Sequence, residues 1–521
     1  MGVASSLEAA RAVPAVSVPR AYNAASAFVD RHLAEGRAGK AAFVDDARSV
    51  TYGELAALVA RAGNALLGAG VQPEQRVALC MHDSVDFPAV FWGAIKAGVV
   101  PIPLNTLLTT DDYAFMLRDS RARLLVVSDA LHEKLAPAAA ASPHLRRVVK
   151  TSELPALLAA APSSLDPAPT CADDVAFWLY SSGSTGAPKG AVHLHSHLPA
   201  TAELYGEGVL GVREDDVVFS AAKLFFAYGL GNAMTFPMHA GATAVLLAER
   251  PTPAAVMRTM KAHRPTIFGG VPTLFASILA DASLDRSAGS DRLRVSISAG
   301  EALPKHVGER WKERFGSDIL DGIGSTEMLH IFLSNRHGDV RYGTSGKPVP
   351  GYELELRDDA GRPVADGEEG SLWVKGPSAC AGYWNQREKT LATFHGPWTR
   401  TGDRYVRDAE GYYTYAGRAD DMLKVGGIWV SPFEVESALS AHEAVLEAAV
   451  VGHADDQGLV KPRAFVVLKD EARRGDALAA ELQAFVKGRL APYKYPRWIE
   501  FVDELPKTAT GKIQRFKLRA G

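Results

Sequence analysis

The stretch with the strongest chemical content is Tyr180-Ser181-Ser182-Gly183-Ser184-Thr185-Gly186-Ala187-Pro188-Lys189-Gly190, which follows the strand-like run Val175-Ala176-Phe177-Trp178-Leu179-Tyr180. Glycines let backbone N–H groups approach an anion closely, the hydroxyls of Ser181, Ser182, Ser184 and Thr185 add donors, and Lys189 adds a mobile positive charge. Together they suit the phosphates of ATP. The run is not a Walker A sequence, because that pattern opens a helix with Gly-Lys-Ser/Thr, whereas here Pro188 precedes the lysine and Gly190 follows it. A Ser/Gly-rich surface turn is the plainer alternative, and the union of strand, loop and lysine weighs against it.

Four further segments carry chemistry. Gly324-Ser325-Thr326-Glu327 follows an apparent strand, Ile319-Leu320-Asp321-Gly322-Ile323, and sets a hydroxyl beside a carboxylate, a pair suited to magnesium bridging ATP phosphates. Alone, Thr-Glu also marks a helix start. Thr401-Gly402-Asp403 presents a carboxylate after a tight turn, and Gly417-Arg418-Ala419-Asp420-Asp421 sets a fixed cation next to two acids. Near the end, Pro506-Lys507-Thr508-Ala509-Thr510-Gly511-Lys512 puts a lysine on a glycine-containing loop. Taken singly, these three also read as an ordinary turn, a surface loop and a solvated lysine.

The elements that must position these groups read as alternating helices and strands. Thr51-Tyr52-Gly53-Glu54 is a capping box, and Leu55, Leu58, Val59, Ala62 and Leu66 recur at helical spacing until Gly70. Arg76 to Met81 reads as a buried strand, a helix is expected from Phe87 to Ala97, and Val99 to Ile102 and Leu124 to Val127 as further strands. The Ala/Pro-rich stretch 155–170 reads as a connector. Strands are expected again at Ala244 to Leu247, Thr266 to Phe268 and Val295 to Ser298, so the sheets should be mainly parallel. After Gly343, short runs at Tyr352, Gly370 and Gly411 between glycine turns predict antiparallel strands. A helix near Ser431-Pro432, a strand at Ala448 to Val451 and a helix ending near Leu490 complete a compact C-terminal part. The expected fold class is α/β. It comprises a large N-terminal domain (1–419) of mixed sheets with a small β-barrel-like subdomain, then a mobile α+β C-terminal domain (420–521).

The chain has 521 residues, and its 57 Lys+Arg against 60 Asp+Glu give a formal charge of -3, so no general affinity for nucleic acid or anionic membrane is expected. The three cysteines, Cys80, Cys171 and Cys380, are widely spaced and fit a reducing compartment and core packing. No run approaches the roughly 20 apolar residues of a membrane helix, and the start lacks a signal pattern, which predicts a cytoplasmic protein. The Met1-Gly2 opening matches a bare myristoylation pattern and is read as accidental. Residues up to Arg20 read as a loose tail or a packing strap.

Taken in order, these segments, together with Gly300-Glu301-Ala302-Leu303, resemble the acyl-adenylating superfamily of acyl- and aryl-CoA ligases, carrier-protein adenylation domains and luciferases, over nearly the whole chain. The resemblance implies a two-step reaction. A carboxylate attacks the α-phosphate of ATP to form an acyl-adenylate and pyrophosphate; a thiol then displaces AMP. It implies that 181–189 hold the β/γ-phosphates, Thr326 the α-phosphate and Glu327 a Mg2+ ion. Gly300, Glu301, Ala302, Asp321, Gly322, Ile323 and Gly324 would line the base pocket, and Asp403 and Arg418 the ribose. Lys512 would neutralise charge gathering between carboxylate and α-phosphate, an effect commonly worth about 10²- to 10³-fold in rate. Many relatives carry tyrosine where Ile323 stands, so the adenine contact here is aliphatic. The C-terminal domain would turn about Asp420 between half-reactions, bringing Lys424, Gly426 and Gly427 to the pantetheine arm of CoA.

The segment Lys223-Leu224-Phe225-Phe226-Ala227-Tyr228-Gly229-Leu230-Gly231-Asn232 resembles the acyl-pocket segment of benzoate- and hydroxybenzoate-CoA ligases. It is aromatic, small and free of acids, which disfavours an amino acid substrate. Phe226, Ala227, Tyr228 and Gly229 are expected to face His330 and Ile331 across a flat slot, with His330 either a pocket donor or a satisfied loop histidine. The resemblance therefore implies an AMP-forming benzoate-CoA ligase of bacterial aromatic degradation, a monomer or homodimer using ATP, Mg2+ and CoA. Ligases for 4-hydroxybenzoate, 2-aminobenzoate or another aryl acid, or one loading a carrier protein, remain alternatives. So, less favoured, do a non-catalytic nucleotide-binding module and a luciferase-like oxygenase.

Overall fold

Alternation of buried apolar strands with amphipathic helices gives parallel sheets here, as expected. The computed structural model describes residues 16–181, 188–418, 421–425, 428–456, 459–491, 493–507 and 513–519. Arg76–Cys80 and Leu124–Val127 form the middle of a four-stranded parallel sheet edged by Val100–Pro103 and Arg147–Lys150. The helix Tyr52–Gly68 starts at the capping box: Glu54 N–H donates to Thr51 Oγ1 at 3.2 Å, and Thr51 N–H donates to the Glu54 carboxylate at 2.8 Å. The helix Asp86–Lys96 also forms where expected.

A nine-stranded sheet carries the core of the molecule. Ala41–Val44, Thr243–Val245, Val217–Ser220, Ile267–Gly270, Val295–Ser298 and Asp318–Gly324 lie side by side and parallel, and Ile331–Ser334 then returns antiparallel to the last of them. Register pairs Ser298 with Asp321 at the carboxyl ends of neighbouring strands. Ends of this kind form the crevice in which open α/β sheets take their ligands.

The strand that precedes the Ser/Gly-rich run is one arm of a hairpin. Val175–Ser181 pairs antiparallel with Lys189–Leu194, with Ser181 opposite Lys189. The Tyr180 hydroxyl donates to Asp119 at 2.7 Å, and Trp178 packs on Trp384 with ring centroids 4.5 Å apart, so the hairpin is seated on the first sheet's helices and on the 380–384 segment. That segment runs along Lys189–Leu194 through backbone bonds from Ala381 N–H to Val192 O and from Trp384 N–H to Gly190 O.

Beyond Gly351 the chain builds an antiparallel sheet from Glu353–Arg357, Glu369–Lys375, Trp398–Arg407, Phe394–His395 and Tyr413–Arg418. The last part has its own core: Val435 and Leu439 of the helix Pro432–Ser440 and Leu482 and Val486 of Asp476–Lys487 pack on Val450 and Val466 of the strands Val445–Ala454 and Val460–Leu468. Buried Glu436 ties this core to the chain's end, accepting from Arg515 at 2.7 Å and from Val450 N–H at 2.7 Å.

One expectation changes. The 155–170 connector opens as a helix, Leu154–Ala159, because Pro155 occupies the first turn, where no intrahelical N–H bond is lost. Thr326-Glu327 lies in a turn and starts no helix. Of the segment up to Arg20, residues 1–15 lie outside the described residues; at its end Arg20 O accepts the Ala172 N–H, and the next residue, Ala21, bridges Cys171.

Candidate functional site

Glycine makes the first bend of the site possible. A Cβ on Gly324 would lie 2.4 Å from the His330 carbonyl oxygen, so only glycine lets Asp318–Gly324 end against the start of Ile331–Ser334. Between them the turn 325–330 is held from outside at three successive carbonyls. His193 Nε2 lies 2.8 Å from Thr326 O, Cys380 N–H donates to Glu327 O at 2.7 Å, and the Ser378 hydroxyl donates to Met328 O at 2.7 Å. Leu329 sits at φ 65, a left-handed conformation that costs a non-glycine residue about 1–2 kcal/mol. External bonds of this kind are what keep such a turn in place.

The turn aims Glu327 at the hairpin. Lys189 Nζ stands 3.9 Å from the Glu327 carboxylate, and the Tyr383 hydroxyl sits between them, donating to Glu327 at 2.8 Å and accepting from Lys189 at 3.1 Å. Ser181 Oγ is 3.4 Å from the same carboxylate oxygen. Lys189 also lies over the Tyr383 ring, 4.4 Å from its centroid. Burial and the Glu327 charge raise the Tyr383 pKa, so the phenol stays protonated and available as a donor.

On the next side, Asp403 and Arg418 are register neighbours of an antiparallel pair, with Arg418 Nη1 donating to Asp403 at 3.1 Å. Gly402, at φ 79, makes the bend that presents Asp403, and a Cβ there would lie 3.0 Å from the Arg418 guanidinium. Gly300, at φ 95 with open space around it, leads Glu301 and Ala302 away from the carboxyl end of Val295–Ser298. Asp321 is buried, and burial pushes its carboxyl up to about 8; its Oδ1 accepts no hydrogen bond among the described residues.

The apolar side is an aromatic box. Burial holds the Asp83 carboxyl up at about 6, and it accepts the Leu224 N–H at 3.2 Å, while Lys223 caps the carbonyls of Leu247 and Glu249. These contacts fix the entry to the segment 225–230. Phe226, Ala227 and Tyr228 then lead into a short helix, Ala227–Leu230, and the Tyr228 hydroxyl reaches across the strand ends to Gly270 O and Ile297 O, both at 3.0 Å. Gly229 leaves no room for a side chain, since a Cβ there would meet Lys223 O at 2.0 Å. His330 stacks on Tyr228 with centroids 5.7 Å apart and meets Phe236 edge-on at 4.5 Å and Tyr205 at 5.2 Å. Its Nε2 donates to Tyr228 O at 3.3 Å, so Nδ1 is the unprotonated nitrogen, and it has no partner among the described residues. Burial lowers its pKa to about 3, and the ring is neutral. Ile331, 1% exposed, covers Gly322, its Cγ2 lying 3.0 Å from where a Cβ would stand.

Of the groups singled out in the sequence, Ser181, Lys189, Thr326 and Glu327 converge, Asp403 pairs with Arg418, and Tyr228 with His330 and Ile331 flanks the carboxyl ends of the same strands. Ser182, Gly183, Ser184, Thr185, Gly186, Asp420, Gly426, Gly427 and Lys512 lie outside the described residues, as does the side chain of Lys424. Tyr383, His193, Asp83 and Phe236 escape a reading by motif because each acts across a large sequence gap. A Gly-Tyr-Trp triplet was the one local hint for Tyr383.

The profile of the AMP-binding enzyme family matches residues 30–384, and that of the AMP-binding enzyme C-terminal domain matches residues 434–512. The chain belongs to the AMP-binding enzyme family. Within this family it is 61% identical, over 97% of its length and 97% of the relative's, to a benzoate–CoA ligase of Thauera aromatica. It is 55% identical, over 96% of its length and 94% of the relative's, to a 4-hydroxybenzoate–CoA/benzoate–CoA ligase of Rhodopseudomonas palustris. A crystal structure of a benzoate CoA ligase from Burkholderia xenovorans LB400 superposes with a TM-score of 0.90 at 56% identity, covering 96% of this chain and all of the other (100%). The anthranilate CoA ligase AuaEII bound to anthranoyl-AMP superposes at 0.94 with 44% identity, over 96% and 98% of the two chains.

Proposed function

We propose that this AMP-binding enzyme is an AMP-forming benzoate-CoA ligase, converting benzoate, ATP and CoA to benzoyl-CoA, AMP and pyrophosphate through benzoyl-adenylate. The observation that carries the proposal is the join of two unlike surfaces at one set of strand ends. The Lys189–Tyr383–Glu327 cluster suits phosphates, and the aromatic box of Tyr205, Tyr228, His330 and Phe236 suits a flat ring.

In this reading Lys189 and residues 181–186 hold the β/γ-phosphates and Thr326 the α-phosphate. Glu327 alone would hold Mg2+, since no cluster of three or more His, Cys, Asp or Glu side chains occurs among the described residues. A lone carboxylate fits that ion, which keeps waters and takes its remaining ligands from substrate phosphates. When bound, the ion neutralises charge on the pyrophosphate as it leaves. Gly300 to Ala302 and Asp321 to Gly324 line the base, and Asp403 with Arg418 the ribose. Lys512 stabilises the charge developing between benzoate and the α-phosphate, and Lys424, Gly426 and Gly427 line the approach of CoA after residues 420–521 turn against 1–419. No helix among the described residues is long and apolar enough to cross a membrane; we place the enzyme in the cytoplasm with its substrates, as a monomer or homodimer.

A pyrophosphate-release screen over benzoate, hydroxybenzoates, aminobenzoates, phenylacetate, cinnamate and hexanoate, with and without CoA, tests the proposal. Benzoate is expected to give the highest kcat/KM and benzoyl-CoA the accumulating product. A hydroxy- or aminobenzoate ranking well above benzoate would reassign the substrate.

A further inference from the structure

The strand Lys189–Leu194 carries two groups aimed at one turn. Residues 189 and 193 lie four apart in a strand, hence on one face. Lys189 meets the Glu327 carboxylate, and fully buried His193 (0% exposed) meets the backbone carbonyl of the preceding residue, Thr326. The next two carbonyls, of Glu327 and Met328, are held by a backbone N–H and a serine hydroxyl of the 378–380 segment, so among the described residues His193 is the hairpin side chain that grips the turn's backbone.

A carbonyl only accepts, so His193 Nε2 must carry a proton to make its 2.8 Å bond. His193 stacks on Phe177 in a site where burial lowers its pKa to about 4, and the ring is neutral. A neutral ring protonated at Nε2 has an accepting Nδ1. That atom faces His197 Nδ1 at 3.2 Å, and the Leu194 N–H donates to the same His197 nitrogen from 3.3 Å. The bond from His193 Nε2–H to Thr326 O stands whichever ring nitrogen of His197 carries the proton.

We propose that His193 is a positioning residue for adenylate formation: its Nε2–H fastens the Thr326 carbonyl and holds Thr326 and Glu327 in register with Lys189. The proposal rests on the assignment of these three residues to the ATP phosphates. It adds a coupling between the phosphate loop and the Thr-Glu turn, because shear between hairpin and turn breaks both contacts at once.

The test uses benzoate-dependent ATP–pyrophosphate exchange on the full-length protein with His193→Leu and His193→Gln. Leucine fills space without a donor, and glutamine carries an amide N–H near the Nε2 position. His193→Leu should lower kcat for exchange by about 10- to 100-fold with little change in KM for benzoate, and His193→Gln should recover most of that loss. A folded His193→Leu protein with wild-type kcat, or a His193→Gln protein as slow as His193→Leu, overturns the proposal. A second measurement stands if the leucine variant does not fold: 15N spectra of histidine-labelled wild-type protein should show a neutral His193 protonated at Nε2, and protonation at Nδ1 instead overturns the proposal. The functional assignment fails separately, if the wild-type protein shows no benzoate-dependent exchange or if Glu327→Gln leaves exchange unaltered.

Discussion

The two halves of the proposed site are built on different physics. On the phosphate side, position is set by directional bonds between polar groups: three carbonyls of one turn each gripped from outside, and a tyrosine hydroxyl between a lysine and a carboxylate. On the ring side, shape does more of the work: His330 is boxed by Tyr205, Tyr228 and Phe236 with its Nδ1 lacking a partner among the described residues, and the directional bonds there are those of the Tyr228 hydroxyl and of His330 Nε2 to backbone carbonyls. Directional bonds fail in steps when a donor is removed, while a packed wall yields by degrees as volume changes. The phosphate side should therefore govern whether the reaction occurs, and the ring side which acid undergoes it.

The largest expected effect tests the first half of that division. Lys512→Ala should lower adenylate formation by at least about 10², while thioester formation from supplied benzoyl-AMP and CoA stays much closer to wild type. Equal loss in both half-reactions would contradict the role given to Lys512. Gly427→Ile should do the converse, sparing ATP–pyrophosphate exchange and cutting thioester formation, as a two-stage assay would read directly.

Stability in acid comes next in size. Burial lowers the pKa of His32, His193 and His195 to about 4 and of His330 to about 3. In the unfolded chain each takes up a proton near pH 6.5, so the unfolded state binds more protons than the folded state between pH 6.5 and 4. Their contribution is complete above pH 6.5 and is lost as pH falls toward 4, at up to about 1.4 kcal/mol per pH unit for each histidine. Urea midpoints from pH 7.5 to 5 should fall steeply. His193 and His330 stand one in each half of the proposed site, so His330→Phe should flatten the profile without removing the acid sensitivity.

A smaller effect separates the two sides cleanly. Tyr383→Phe keeps the ring over Lys189 but removes the hydroxyl, and kcat/KM for ATP should drop by about 10-fold with the order of preferred acids unchanged. A reordering of acids in this variant would show that the sides are not independent. The remaining test lies on the ring side. Ile331→Ala should change discrimination among methyl- and chlorobenzoates by about 1–3 kcal/mol per methyl-sized group, with little change in KM for ATP.

Local patterns were legible in the sequence, and long-range contacts were not. The Thr51–Glu54 capping box needed four consecutive residues, and the structure contains it bond for bond. Lys189, Thr326 and Glu327 were legible because each stands in a short run of distinctive composition, and the sheet then brings them together. His193 reaches Thr326 across 133 positions and Tyr383 reaches Lys189 across 194, distances over which residue spacing carries no signal. Phe236 was passed over for a related reason. It stands beyond the motif at the start of Phe236–Ala240 and reaches His330 only through the fold. The helix Leu154–Ala159 was missed because Pro155 reads as a breaker unless its place in the first turn is known.

The most direct test of the division between the two sides is a crystal structure of the protein with benzoyl-adenylate. The account predicts the phosphate within hydrogen-bonding reach of Thr326 and the ring flat between the Ala227–Tyr228 wall and Ile331. A ring lodged away from Ile331, or a phosphate out of reach of the Thr326-Glu327 turn, would contradict it.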